Sequence, residues 1–435
     1  MIIIGVAYLS DASACVLKDG KLLSAISQER LNRVKLWHGV PHDAIEASLK
    51  LAGVSMDEVD LIATHGKVPA DRSEIPFAQK RAAIERQDLP KHIKEQQLDY
   101  LEQRRLHEAR VIGERTPGFL AELDRYGKPV HVIEHHTAHA ASAYYGSGWD
   151  HCIVITADGW GEDASATVWD SADGVGKRIG LTYTFDSLGY FYGSVTKALG
   201  FRPHRHEGKV LGLAAYCTKP TSYPEIARMV DCLPDELRFV GCMENGLYRP
   251  HYENPRLEQY VARFPREDVA AAVQIRLEEV VTRLVDALPG KNIKIALAGG
   301  IFANVKLNQR IAERPNVADV YVFPNMGDGG LSVGAAWHVH HQMTGAKPEP
   351  FASALLGNEI GEEEIVRELQ AGGLAYTKQN DIVGKFADLL AAKNVVIRVA
   401  GKMEFGPRAL GNRSILCHAS DAGINDWLNK RGAGK

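Results

Sequence analysis

The scarcities of this chain say the most at first sight. Cysteine is sparse: Cys15, Cys152, Cys217, Cys232, Cys242 and Cys417 are scattered over 435 residues, and no two form a C-x-x-C pair. That spacing argues against a disulfide framework and against a cysteine zinc site, and fits reduced thiols in a cytoplasm. No stretch approaches the roughly 18 consecutive apolar residues of a membrane helix, so no membrane association is expected. The opening "MIIIGVAYLS" has no basic segment before its apolar run. It therefore reads as a first β-strand, not a signal peptide. Charge of neither sign dominates, the formal net charge being -3. Non-specific nucleic-acid binding and a polybasic anchor are disfavoured on that ground. A G-x-x-x-x-G-K-[ST] loop is missing, which excludes a P-loop on spacing, and the lack of H-E-x-x-H weakens a metallopeptidase reading. What remains is 45% apolar and 24% charged, long enough for two or three soluble domains.

Strand and helix signals alternate along most of that length. The N-terminus reads strand, turn, strand "ASACVL", the hairpin turn "KDG" and strand "KLLSAIS". A helix "PHDAIEASLKLAG" follows, with Pro41 at its start and Gly53 past its end. A second strand pair, "CIVITA" and "ASATVW", flanks an acidic turn, and "DASA" occurs in both hairpins, at 11–14 and 163–166. That echo suggests two related halves. Further on, "IKIALAGG" and "VADVYVFP" each lead through glycines into a helix, the pattern of an α/β sheet. Residues 70–125 are charge-dense with alternating signs, which reads as a solvated helical insertion or flap. The expected organisation is a first domain over 1–345 carrying that insertion, a Pro-bearing linker over 346–358, and a second unit over 359–435. The last is too short to enclose its own core and reads as an incomplete domain or one packed on the first.

The chemistry concentrates in a few places. In "IEHHTAHAASAYY", His135 and His139 are four apart and project from one helix face, while His136 points about 100° away. Asp158 in "TADGWGED" and Asp328 in "NMGDGGLS" each follow an apolar strand and precede glycine. Ligands of open α/β sheets gather at the carboxyl ends of strands. Two imidazoles and two carboxylates make a mixed N/O set suited to iron, zinc or manganese. Taken singly, each aspartate is as well read as a turn residue or helix cap. Gly299 and Gly300 end a strand and open a helix, which offers backbone N–H groups to an anion, and Asn304 in the next turn is placed to bond a ribose hydroxyl. Arg202, His204, Arg205, His206, Glu207 and Lys209 crowd into "FRPHRHEGK", a polar edge beside an apolar run. Arg408 and Arg413 in "MEFGPRALGNRSIL" sit among glycines, where guanidinium forks suit phosphate or carboxylate.

These blocks together resemble the carbamoyltransferase family of nodulation protein U and the antibiotic O-carbamoyltransferases. Matching stretches include "SDASACVLKDGKLLSAISQERLNRVK", "HHTAHAASAYY", "DGWGEDASATV", "SLGYFYGSVTKALGF", "EGKVLGLAAY", "AGGIFANVKLN", "GDGGLSVGAA" and "GKMEFGPRALGNRSIL", in family order. The resemblance implies a first domain of actin/sugar-kinase type, like the tRNA threonylcarbamoyl-transfer proteins, and a second of YrdC type. It implies that ATP and carbamoyl phosphate yield carbamoyl-adenylate, whose carbamoyl group passes to the hydroxyl of a small-molecule acceptor in secondary-metabolite or glycan biosynthesis. It maps a divalent metal, iron first with zinc or manganese as alternatives, onto His135, His139, Asp158 and Asp328. It places Lys35 against the carbamoyl-adenylate, Gly300 and Asn304 on the adenylate-facing turn, and Arg408 at the start of the carbamoyl-phosphate domain. A homodimer is a further expectation, and no nucleic-acid partner is.

Two departures bear on the mechanism. Where the family reads His-Asp-Ala-Ser in the first hairpin, this chain has Ser10, a poor general base, so either another histidine such as His38 substitutes or the acceptor differs. The family's second domain also continues well beyond "RALGNRSIL". The competing expectation is accordingly a non-catalytic, nucleotide- and metal-binding relic of the same family.

Overall fold

The computed structural model describes residues 1–8, 10–66, 75–243, 246–420, 423–424 and 427–428, with the side chains of Ile75 and Ile112 left out. The chain divides into two compact units, Met1–Ala352 and Ser353–Lys435. The first is a duplication. Its first half starts with β1 (Ile2–Ala7), β2 (Ser13–Lys18) and β3 (Lys21–Ser27). Helix α1 (His42–Ala52) follows, begun at Pro41 and stopped by Gly53 in the left-handed conformation. Strand β4 (Leu61–His65) leads into the insertion helices α2 (Ile75–Arg86), α3 (Lys91–Arg110) and α4 (Thr116–Asp124). Strand β5 (Val130–Ile133) and α5 (His135–Ser147) close this half.

The second half repeats the plan. It runs β6 (His151–Gly161), β7 (Ala164–Ala172), β8 (Lys177–Tyr183) and α6 (Leu188–Ala198). A ribbon of β9 (Val230–Leu233) and β10 (Arg238–Gly241) and the long α7 (Arg266–Asp286) intervene. Then come β11 (Ile293–Ala298), α8 (Val305–Ala312), β12 (Val317–Val322) and α9 (Leu331–Thr344). One sheet has the order β3-β2-β1-β4-β5 and the other β8-β7-β6-β11-β12. In each, an antiparallel three-strand meander is extended by two parallel strands. The two "DASA" segments lie at equivalent places, entering β2 and β7. The two halves suggested by that echo are thus real, and the topology is the actin/sugar-kinase arrangement.

Two helices are exchanged between the halves. Helix α5 leaves the first sheet and packs on β6, β7 and β11, whereas α9 ends the second half and packs on β1, β2 and β4. They also pack on each other, closely enough that a Cβ on Gly334 of α9 would stand 1.9 Å from the Ala138 carbonyl oxygen of α5. Glycine is required there by contact, since no side chain fits. Eleven of the thirteen residues of α5 are buried, His135, His136 and His139 among them. The small residues Ala138, Ala140, Ala141, Ser142 and Ala143 let this helix enter the core between the sheets.

The insertion departs from the solvated flap expected of it. Gln97, Leu101, Arg104 and Glu108 form a buried stripe on α3, spaced four, three and four residues apart. Arg104 Nε donates to Glu108 Oε1 at 2.7 Å, and its Nη1 donates to Tyr190 Oη at 2.5 Å on α6. Thr184 also donates to Glu108, and Gln97 donates to the Met243 carbonyl at 2.7 Å. Alternating charge hid this face because its anchors are themselves charged. Another difference is at the expected linker: β13 (Leu355–Glu359) already forms inside 346–358 and pairs with β15 (Lys402–Glu404).

The second unit holds α10 (Glu362–Ala371), α11 (Ile382–Ala391), and β14 (Val396–Val399) paired with β16 (Arg413–Leu416). Neither helix buries a residue, and Leu374, Val383, Ile397 and Ile415 are all at least 60% exposed. Its apolar surface is largely uncovered. Among the described residues no helix is long and apolar enough to cross a membrane.

Candidate metal centre

The exchanged helix carries the first two ligands to a place the sequence could only suggest. His135 and His139 occupy the first turns of α5, on one face. Asp158 does not end its strand, as the pattern "TADGWGED" implied. Strand β6 runs on to Gly161, with a break in its pairing to β7 between Ala157 and Gly161. Such an irregularity turns a side chain out of the regular alternation. Asp328 opens the turn before α9. Ser13 of the first hairpin fixes that turn by donating to the Gly329 carbonyl at 2.6 Å and meeting Ser332 Oγ at 2.7 Å.

The four groups converge. His139 Nε2 lies 3.2 Å from Asp158 Oδ2 and 3.7 Å from Asp328 Oδ1. His135 Nε2 lies 3.9 Å and 3.7 Å from the same two oxygens. Ligands at about 2.1 Å from a tetrahedral centre stand about 3.4 Å apart. The observed spacings bracket that value, and the donor set is two neutral-capable nitrogens and two oxygens. The residues fit a divalent cation. Both imidazoles are wholly buried and both carboxylates partly exposed, so the acids face the open side.

The two carboxylates of the centre are pushed in opposite directions. Burial pushes the Asp328 carboxyl well above the usual range, and the Asp158 charge beside it adds to this. Burial also acts to raise Asp158, but the two imidazoles beside it prevail and hold it well below that range. Two acids this close cannot both ionise readily without a cation between them.

Supporting residues surround the cluster. A Cβ on Gly161 would be 2.5 Å from His135 Cδ2, so only glycine admits the ring. His136 turns to Thr156, its Nδ1 2.8 Å from Thr156 Oγ1, and stays outside the four-ligand group. The Gly300 turn faces the centre: a Cβ there would stand 3.1 Å from Asp158 Oδ1. Gly299, at φ +103°, makes the bend that brings it there.

Other expected residues fall differently. Asn304 caps a helix. Its side chain accepts from Leu307 N at 3.0 Å as the cap of α8 and donates to Gln274 at 2.8 Å, so both ends are used internally. Lys35 pairs with Glu29 at 2.5 Å and acts electrostatically on Asp11, which in turn acts on Asp328. His38 is exposed, and the ring contacts joining it to His135 run through Phe119, Tyr8 and His65. It is not brought to the cluster. Ser10 lies in the turn beside Asp11 and makes no hydrogen bond to the four ligands among the described residues. Arg202, His204, Arg205 and Lys209 are exposed.

In the second unit, Arg408 is exposed. Arg413 has the internal role that the sequence did not suggest: its guanidinium donates to the carbonyls of Ala400, Gly401 and Asn358.

Three residues were missed. Asp11 is held at φ +61° in the first hairpin turn, its Oδ2 against Gly329, and burial followed by the Glu29 charge pushes its carboxyl up to about 6. Glu162 is buried and pushed up to about 7 by burial, with His135 opposing. His65 is buried beneath His135. Asp11 and Glu162 were visible as acids inside the matched blocks, but His65 follows an ordinary apolar strand and carried no signal.

Comparison with known proteins shows the family of the chain. The profile described as "Carbamoyltransferase N-terminus" matches residues 2–337, and "Carbamoyltransferase C-terminus" matches 387–432. Protein sll1178 of Synechocystis sp. is 31% identical, over 97% of this chain and 72% of its own length. Nodulation protein NolNO of Sinorhizobium fredii is 28% identical over 97% of this chain and 60% of its own. Nodulation protein U of Bradyrhizobium diazoefficiens is 24% identical over 99% and 76%. The chain thus spans about 60 to 76% of these relatives. The solved structure of component A of the (R)-2-hydroxyglutaryl-CoA dehydratase of Acidaminococcus fermentans aligns with a TM-score of 0.44 at 13% identity, over 79% of this chain and 98% of that one. Sheet topology, not this likeness, carries the fold.

Proposed function

The chain belongs to the carbamoyltransferase family, and on that premise we propose that it moves a carbamoyl group from carbamoyl-adenylate, made from ATP and carbamoyl phosphate, to a hydroxyl of a small-molecule acceptor. The observation that carries this reading is the convergence of His135, His139, Asp158 and Asp328 at tetrahedral spacing, with the Gly300 turn against it. His135, His139, Asp158 and Asp328 would hold a divalent cation, iron first with zinc or manganese as alternatives, which would supply Lewis acidity.

The remaining roles fall to this chain's residues. The Gly300 turn lets the adenylate approach the main chain closely. Lys35 offsets negative charge building on the departing phosphate, once its pairing with Glu29 is shared with the substrate. The acceptor oxygen attacks the carbamoyl carbon, the bond from that carbon to the phosphate oxygen breaks, and AMP departs. The hydroxyl proton needs a base. Ser10 is unsuited and His38 is remote, whereas Asp11 lies between the Lys35–Glu29 pair and the Asp328 turn.

The test is to supply the metal-loaded protein with chemically prepared carbamoyl-adenylate and a panel of sugars, aminoglycosides and polyketide alcohols. AMP release with an acceptor mass gain of one carbamoyl group is expected, and His139→Ala should lower it at least a hundredfold. No product across the panel would reject the transferase reading. Ser10, in the place of the family's histidine, favours a second reading, a nucleotide- and metal-binding relic. That protein would bind the adenylate and release no AMP.

A further inference from the structure

Behind the four-ligand cluster stand two buried groups that the reaction above does not use, His65 and Glu162, both beside the ligand His135. His65 ends β4, His135 opens α5 and Glu162 follows β6. Each offers a ligand atom, and the three atoms lie within 4.8 Å of one another. Both histidines are 0% exposed and Glu162 is 3% exposed. His65 Nδ1 and both ring nitrogens of His135 have no hydrogen-bond partner among the described residues. The other nitrogen of His65 meets only the Tyr8 N–H, at a long 3.4 Å.

The two faces of His135 are distinct. Its Nε2 looks toward Asp158 and Asp328. In an imidazole, Nδ1 is the nitrogen nearer the main chain. Glu162 Oε2 accepts from the His135 backbone N–H at 3.1 Å, at the end of the residue to which Nδ1 is the nearer ring nitrogen. The strongest charged neighbours of Glu162 besides His135 are Glu134 and Asp163, both acids. Among the described residues the main group opposing its burial is His135 itself, whereas a buried carboxylate normally demands a positive partner. Two imidazoles and one carboxylate are a familiar zinc donor set that leaves a fourth position open.

We propose that His65, His135 and Glu162 form a second divalent-cation site, with His135 as an imidazolate bridge: its Nε2 serves the first cation and its Nδ1, whose proton is released to solvent as the second cation binds, serves the second. This rests on the metal role proposed for the first cluster. The plainer arrangement is a Glu162 that only orients His135, as carboxylates often do for metal-bound imidazoles. It leaves the unpartnered Nδ1 of the buried His65 unexplained and predicts one cation per chain.

Stoichiometry separates the two. The full chain is stripped with a chelator, dialysed, and titrated with zinc ions, and bound metal is counted by mass spectrometry after gel filtration. Two equivalents per chain are expected, falling to one in His65→Ala and in Glu162→Gln. His65→Gln, nearer in size, serves as companion should the alanine variant lose its circular dichroism. A single equivalent in the unaltered protein, lost in His139→Ala and kept in His65→Ala, overturns the second site and leaves the first intact. Two equivalents that persist in both His65→Ala and Glu162→Gln overturn it as well. Zero equivalents would reject both sites together.

Discussion

At the scale of single residues, the most informative group outside the centre is Glu404. Its Oε1 accepts from three backbone N–H groups, those of Leu410, Asn412 and Arg413, at 2.9, 2.8 and 3.0 Å. Burial works to raise this carboxyl, yet the convergent N–H dipoles hold it down at about 2. A carboxylate depressed on folding stabilises the fold above its unfolded pKa, and that stability is lost as pH falls through the folded value. Glu404→Gln should therefore destabilise the second unit at pH 7 by roughly 2 to 3 kcal/mol, following the size of the shift. The gap between variant and parent should close from about pH 4.5 down to about 2. Urea unfolding at pH 7, 4 and 3 reads this directly, and a gap independent of pH would refute it. In the same loop the Arg413 guanidinium, which the sequence offers to an anion, donates to carbonyls of the chain itself.

At the scale of elements, α3 decides how the insertion sits. Its buried Arg104–Glu108 pair, with side chains 2% and 0% exposed, is tied to Tyr190 and Thr184 on the second half. Removing one member leaves the other charged and unpaired in the interior, at a cost of about 3 to 5 kcal/mol. Arg104→Met should show a loss of that size in urea melts, and Arg104→Met with Glu108→Leu should lose less than the sum of the single changes. An effect below about 1 kcal/mol for Arg104→Met would mean the helix is held by its apolar contacts alone. Helices α5 and α9 make the opposite case. They meet through glycine and alanine, and that closeness, not polar bonding, brings the histidines and Asp328 to one point.

At the scale of the whole molecule, the two units bury their residues unequally. The first encloses most of the chain's apolar core, while α10 and α11 in the second bury nothing. Calorimetry should resolve two transitions, the smaller and lower one from Ser353–Lys435. A saturating divalent cation should raise only the higher transition, because its ligands all lie in the first unit. A single transition, or a cation shift in both, would contradict that division.

Much of this protein was legible in order of residues alone. Periodicity set the strands and helices, the repeated "DASA" announced two halves, and a four-residue step put His135 and His139 on one face, because backbone geometry fixes such local relations. Distance was beyond it. Asp158 and Asp328 reach those histidines only because α5 and α9 change sheets, and His65 and Glu162 lie beneath them for the same reason. Whether Asn304 faces a ligand or caps a helix, and whether a charged stripe faces water or the core, depends on what packs against it. Local pattern is written in neighbours along the chain, whereas a site is made of neighbours across it, and those are chosen only when the sheets close.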